Sequence, residues 1–360
     1  MKGLILTSKG IEEEAKQEIS KLIGVEGEII EGGVLFSISK PEELCTLCYH
    51  GQCFERVVLV LTETVNDWKK IEQTLVKEKK QFMKYLKGTF AARIEGAEID
   101  AEADLGQIVH DSFGLPVQLD NPDAIVFGYF TDIKVYIGID FSGKDLQKRE
   151  YKIFPHKESL RASIAAALCC IGVQEGKLIV DPYCKSGDII IEAALMLSGK
   201  SAHFYNKDKF TWKKLGIMYE AEDTAKKPKA ELVGSDNTMN SVKASQKNAK
   251  IAGVDEYTHF TRIDIDWIDT KFKKNTIDTI ITRMPEMSKF KDPKEVRKQY
   301  KEFFYQAEYV MKKKGTMILI FKANNAEILP ASKKEGFAFV REKIVWMGKE
   351  EMKILVLLKE

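Results

Sequence analysis

From Glu158 onward the sequence alternates short apolar runs with longer helical patterns, and this alternation constrains the fold more than any other feature. SLRASIAAALCCIG is helical, KLIVDPYC is a strand running into a loop, and IIIEAALMLSG is a helix; the strand ELVGSD and the helix MNSVKASQKNAKIAG follow. Alternation at this spacing predicts an α/β fold with a doubly wound, mostly parallel sheet. Ligands of such sheets bind beyond the carboxyl ends of the strands. The chemistry is therefore expected in the loops Asp181 to Asp188, Ser235 to Asn237, Asp264 to Trp267 and Thr282 to Lys289.

The first 157 residues follow a different pattern. GLILT, an amphipathic stretch from Ile11 to Leu22, the runs GEII and GVLFSI, a helix through Leu44 and Cys48, and RVVLVLT give the order βαββαβ, a small ferredoxin-like unit over residues 1–63. A helix from Trp68 to Leu86, the strand TFAARI, a helix around Ile108 to Phe113 and the strands AIVFGYF and KVYIGIDF make a second α+β unit over residues 64–146. Residues 147–157, with His156, read as a linker to a domain over 158–360. Within that domain residues 201–230, rich in Lys and holding Phe210 and Trp212, read as a long insertion.

Composition excludes several classes. With 360 residues and 44% hydrophobic content the chain can bury two or three cores. No apolar run approaches the roughly 20 residues of a membrane helix, and MKGLILTSKGIEEE turns acidic before a secretory signal could be completed, so a cytoplasmic protein without membrane partners is expected. Cys45, Cys48, His50 and Cys53 crowd four metal-ligand types together. LCTLCYHGQCFERVVLVL reads more simply as an amphipathic helix entering a strand, so no metal is expected. Residues 1–145 carry 16 basic against 25 acidic residues and the remainder 40 against 29, so any phosphate contact in the N-terminal half must be local. Half of that region's basic residues lie between Lys69 and Arg93, which makes Lys79, Lys80, Lys84, Lys87 and Arg93 the candidate RNA-binding residues. A second basic run, 289–314, holds Lys289, Lys291, Lys294, Arg297, Lys298 and Lys301 and has a solvated helix face as its ordinary explanation.

The segments GIDFSGKDLQKREYK, KESLRASIAAAL, DPYCKSGDIIIEAA, GSDNTMNSVKASQKNAKIAGV, FTRIDIDW and IDTIITRMPEMSK together resemble, in order and spacing, the THUMP-containing class I S-adenosylmethionine (SAM) methyltransferases that modify N2 of guanosine in tRNA. The resemblance covers essentially the whole chain. It implies a ferredoxin-like unit, a THUMP-type RNA-binding region over 64–146 and a Rossmann-like methyltransferase domain, with SAM as cofactor and tRNA as partner. Against the family pattern Asp-Pro-Phe-Cys-Gly-Ser-Gly-Thr, this chain has DPYCKSGD, so Asp181, Tyr183, Ser186, Gly187 and Asp188 are implied at the cofactor loop. Lys185 stands where a glycine would let bare backbone approach the ligand. Asp188 is expected as the cap of the following helix. Asp236 matches the acid that accepts from the ribose hydroxyls. Asp264, with Ile265, matches the acid near the adenine amine, or else Asp264 simply solvates its loop.

The family's catalytic motif, Asn/Asp-Pro-Pro-Tyr/Phe, is replaced by Arg283-Met284-Pro285-Glu286. In the intact motif an acceptor aims the target amine and an aromatic ring stacks on the base. Arg283 is donor-only and Glu286 has no aromatic face. The five histidines are scattered, and no nucleophile elbow, P-loop or H-E-x-x-H pattern offers another catalytic set. Three functions stay open: an active tRNA guanine-N2 methyltransferase, a catalytically silent member that binds tRNA or a protein partner, and a structural subunit.

Overall fold

The computed structural model describes residues 1–98, 100–286 and 293–360, and these form two compact units. The first comprises Met1–Thr7, Ala15–Leu146 and His203–Glu222. Its seven-stranded sheet has the order β2-β3-β1-β4-β7-β6-β5, built from β1 (Lys2–Leu6), β2 (Gly27–Ile30), β3 (Gly33–Ser37), β4 (Arg56–Val65), β5 (Phe90–Glu95), β6 (Ala124–Phe130) and β7 (Lys134–Asp140). Leu4, Ile5 and Leu6 are fully buried because β1 is flanked on both sides, and AIVFGYF is buried throughout for the same reason.

The division at residue 63 falls inside β4. One edge of that strand pairs with β1 (Lys2↔Val60, Leu4↔Val58), while the other runs antiparallel to β7 as far as Val65↔Lys134. The helices of this unit are α1 (Glu12–Ile23), α2 (Glu42–His50), α3 (Trp68–Phe82) and α4 (Ala101–Phe113). The Asp67 carboxylate caps α3 by accepting from the Lys70 N–H, and the helix ends at Phe82, four residues before the expected Leu86. Cys45, Cys48 and Cys53 are fully buried in the core as reduced cysteines. Part of the expected 201–230 insertion also belongs to this unit: Trp212, in a short helix (Thr211–Lys214), is fully buried and donates its main-chain N–H to the Phe141 carbonyl.

The second unit comprises Ser8–Glu14, Gln147–Ala202 and Asp223–Glu360. Its sheet is β10-β9-β8-β11-β12-β14-β13, with β8 (Leu178–Asp181), β9 (Glu231–Asp236), β10 (Thr258–Arg262), β11 (Ile277–Arg283) and β12 (Met311–Lys322) parallel, and β14 (Glu350–Lys359) inserted antiparallel between β12 and β13 (Phe337–Met347). The expected doubly wound, mostly parallel α/β sheet is present. Helices Ala162–Gly172 and Asp188–Ser198 are almost wholly buried, as their unbroken apolar sequences require. The segment expected as a linker belongs to this unit and is anchored: Arg149 Nε donates to Glu192 Oε1 at 2.9 Å and the Tyr151 hydroxyl to the same oxygen at 2.7 Å, with both members of the ion pair fully buried.

Candidate functional site

The four loops expected to carry chemistry all leave the carboxyl ends of β8, β9, β10 and β11. Asp181, closing β8, is only 2% exposed and accepts from Thr282 Oγ1 at 2.6 Å and from the Tyr183 N–H at 3.2 Å, which ties the first loop to β11. Desolvation pushes its carboxyl up to about 7, with the two hydrogen bonds pulling the other way. Lys185 sits at φ 53°, the left-handed conformation that favours glycine. Its N–H donates to Asp236 Oδ2 at 3.3 Å, its carbonyl accepts from Ser245 Oγ at 3.1 Å, and its ammonium pairs with Glu158 at 2.8 Å. His156 Nδ1 accepts from the Glu158 N–H, and burial together with the nearby Lys185 charge lowers its pKa.

Asp188 is not the cap of its helix. Gly187, at φ 85°, takes the cap position without a side-chain bond, and Asp188 is the first helical residue, accepting from the Leu160 N–H at 3.1 Å and pairing with Lys152 at 3.0 Å. The physical reason is the turn itself: its left-handed backbone fits glycine, and a Cβ on Gly187 would come within 3.0 Å of Ser245 and 3.1 Å of Phe260. Ser186 is likewise internal, with its Oγ 2.6 Å from that of Ser159. These three residues shape the loop from within.

Beside β9 and β10 lies a cavity of about 450 Å³ whose wall includes Asn237, Asp264, Ile265, Asp266, Val296 and Lys298. That volume is within the range of small-molecule sites. Asp236 closes β9 and accepts from the Thr238 N–H at 3.0 Å and hydroxyl at 2.8 Å. A carboxylate offers about four lone-pair directions, so with three hydrogen bonds accepted Asp236 keeps room for one further donor. Asp264 is exposed and caps the 3-10 segment Ile265–Thr270. Tyr183 packs in one apolar cluster with Ile265 and Val296, and its hydroxyl is buried with no hydrogen-bond partner among the described residues. Burial and the charges of Asp264 and Asp266 hold that phenol protonated.

The loop after β11 is cross-linked. Arg283, 5% exposed, donates from Nη1 to the Glu158 carbonyl at 3.0 Å and from Nη2 to the Glu286 carboxylate. Glu286 also pairs with Lys322 at 3.1 Å, and Lys322 with Glu350 at 3.0 Å. Met284 is fully buried and donates its N–H to the Ile320 carbonyl, while the Pro285 carbonyl accepts from the Tyr300 hydroxyl at 2.5 Å. Glu158 therefore binds both substituted positions, Lys185 through its carboxylate and Arg283 through its main chain. Sequence reasoning assigns neither Glu158 nor Lys322 a role. The one signal available was the pair of cations at 185 and 283, each of which needs an anion once partly buried, and nothing local identifies which. Lys289 and Lys291 lie outside the described residues.

In the first unit Lys80, Lys84 and Lys87 are exposed, and the Lys79 ammonium donates to the Ser112 carbonyl at 2.8 Å. Arg93 is half-buried, paired with Glu102 at 3.1 Å and donating to the Leu119 carbonyl at 3.0 Å.

A family model for the RMKL-like methyltransferase domain matches residues 149–351. The tRNA (guanine(6)-N2)-methyltransferase of Methanocaldococcus jannaschii is 28% identical over 375 aligned positions that cover 96% of this chain and 96% of that protein. The protein of the same name from Archaeoglobus fulgidus is 28% identical over 261, covering 70% of this chain and 63% of its own length. Among solved structures, TrmN from Thermus thermophilus superposes with a TM-score of 0.75 at 20% identity, covering 100% of this chain and 99% of that one. SMU.472 complexed with SAH superposes at 0.80 and 19% identity, covering 100% and 98%. At those identities the two structures support the fold.

Proposed function

The chain belongs to the RMKL-like methyltransferase domain family, and from that premise we propose that it is a tRNA-binding member whose methyl-transfer site is chemically closed. The tRNA substrate class is supported by the names of the two archaeal relatives, and a THUMP-type role for the first unit is part of the same proposal. The observation that carries the closure is Arg283. The position that should present an acceptor to a target amine holds a cation, fixed by Glu158 and Glu286. Glu286 is held at one carboxylate oxygen by Arg283 and at the other by Lys322, so it serves as the anchor of the cation.

The residues present fit the nucleoside half of SAM. Asp236, Asp264 and Ile265 would hold it, and the buried Tyr183 hydroxyl beside the cavity lacks a partner among the described residues. SAM would supply an electrophilic methyl group there. What this chain's residues do not supply is an acceptor that orients an amine lone pair. Glycine is also missing at 185, where main-chain N–H and carbonyl are already engaged by Asp236 and Ser245.

Binding is tested by tRNA titrations of the full chain across a salt series. The wild type should bind with an affinity that falls steeply with salt. The triple variant Lys79→Gln, Lys80→Gln, Lys84→Gln should bind more weakly, with the logarithmic slope reduced by roughly 0.7 to 0.9 per lost phosphate contact. Absence of tRNA binding by the wild type would remove this function. An unchanged slope in the variant would remove that surface.

A further inference from the structure

The 3-10 segment Ile265–Thr270 and the helix Pro293–Val310, both in the second unit, together present three large aromatic side chains to solvent. Trp267 is 64% exposed, Tyr305 59% and Tyr309 41%. The two elements are held together: Gln306 Nε2 donates to the Asp266 carbonyl at 3.2 Å, which brings Tyr305 beside the Trp267 segment. One turn further on, the Lys274 ammonium lies 5.8 Å from the Tyr309 ring centroid, and the Asn275 N–H donates to the Tyr309 carbonyl. Among the described residues neither Trp267 nor Tyr305 packs on another ring.

Charge on this face is divided by helical spacing. Glu295, Gln299 and Glu302 fall, with Lys298 as the one cation, on the side of the helix that lines the 450 Å³ cavity, together with Asp264 and Asp266, so that side is mostly acidic. Lys301, Tyr305 and Tyr309 recur every four residues and so form one exposed ridge. Lys271, Lys273 and Lys274 flank it from the adjoining loop, all exposed, and none of these lysines has an ion-pair partner among the described residues. The acids bordering the ridge are Glu302, three residues before Tyr305, Glu308, which pairs with Lys359 at 3.3 Å, and Asp266 and Asp269 near Trp267. An ordinary solvated helix would expose lysines alone. Lysines interleaved with exposed, unstacked rings are the chemistry that binds bases by their π faces and the backbone by its phosphates.

We propose that Trp267, Tyr305 and Tyr309, rimmed by Lys271, Lys273, Lys274 and Lys301, form a stacking platform for an unpaired RNA strand. The proposal rests on the chain being an RNA binder and assigns the second unit its own share of that binding. Stacking needs splayed bases, so the platform discriminates single-stranded from duplex RNA, whose bases are stacked on one another.

The test uses the full chain and two labelled probes, an oligouridine of about 12 nucleotides and an RNA duplex of the same length, with tRNA titrated in the same buffer. The variant Trp267→Ala, Tyr305→Ala should bind oligouridine about tenfold more weakly, while Trp267→Phe, Tyr305→Phe should stay within about twofold of wild type. Duplex affinity should change by less than about twofold in both variants. The Phe pair keeps the rings, so it separates loss of stacking from loss of folding. Oligouridine affinity unchanged in the Ala pair, as a protein-binding face would give, overturns the platform, as does a wild type that ignores oligouridine. Failure of the wild type to bind tRNA would instead count against the functional reading, whatever the oligouridine result.

Discussion

Asp181 lies 2% exposed at the end of β8, and burial pushes its carboxyl up to about 7 from 3.8. Between those two values the folded state holds a proton that the unfolded chain has released, so stability falls as pH rises through that window. Asp181→Asn should keep the bonds from Thr282 and Tyr183 while losing the titration. Urea midpoints should decline less from about pH 5 to about pH 8 in the variant than in the wild type, and equal declines would contradict a raised Asp181. At Lys185 two effects oppose each other. The left-handed φ of 53° costs a residue with a Cβ roughly 1 to 2 kcal/mol, and glycine would relieve it. Against that stand glycine's entropy of about 0.5 to 1 kcal/mol and the loss of the partly buried Glu158 pair. Lys185→Gly should therefore leave stability within about 1 kcal/mol while raising SAM affinity by calorimetry. A loss of several kcal/mol would show that the Glu158 pair dominates. That positions 185 and 283 depart from the family pattern could be read from residue type alone. Where their charges go could not, since Glu158 is far from both in sequence and the two contacts exist only once the chain has folded.

At the scale of elements, periodicity located the strands of the first unit and the first strands and helices of the second, while the strands Met311–Lys322, Phe337–Met347 and Glu350–Lys359 went unread, and the errors have identifiable causes. β4 runs on to Val65 because β7 offers a partner over Lys134–Ile137, a pairing between distant segments that a polar run such as TETV does not announce. The cap of helix Asp188–Ser198 was misplaced by one residue, because an acid at the first helical turn satisfies the same dipole argument as an acid at the cap. The segment 147–157 carries few apolar residues and reads as a linker, yet it holds Arg149 and Tyr151 against Glu192 in the interior. Removing one member of a buried ion pair leaves the other uncompensated, at about 3 to 5 kcal/mol. Glu192→Ala should show a loss of that size in urea denaturation, whereas Arg149→Met with Glu192→Leu should lose less. A double variant as unstable as the single one would show that packing, not charge, governs this junction.

For the molecule as a whole, a methyltransferase-family sheet carries at its carboxyl end loops that are joined by their own side chains, which is the ground of the proposed closure. The parallel strands deliver Asp236, Asp264 and Ile265 to the expected end of the sheet, beside a cavity large enough for a nucleoside. The same topology brings Arg283 and Glu286 together after β11, where they pair with each other. The sequence pattern predicted the scaffold because alternation of strand and helix is local. It pointed to an altered site but not to a cross-linked one, because the network Glu158, Arg283, Glu286, Lys322 and Glu350 draws on four separate segments. The most direct measurement is methyl incorporation from labelled SAM into unmodified tRNA, with the protein in excess over tRNA and an active relative run in parallel. The account predicts incorporation by the relative and none above the protein-free blank for this chain. SAM-dependent incorporation by the unmodified protein, abolished by heat denaturation, would contradict it.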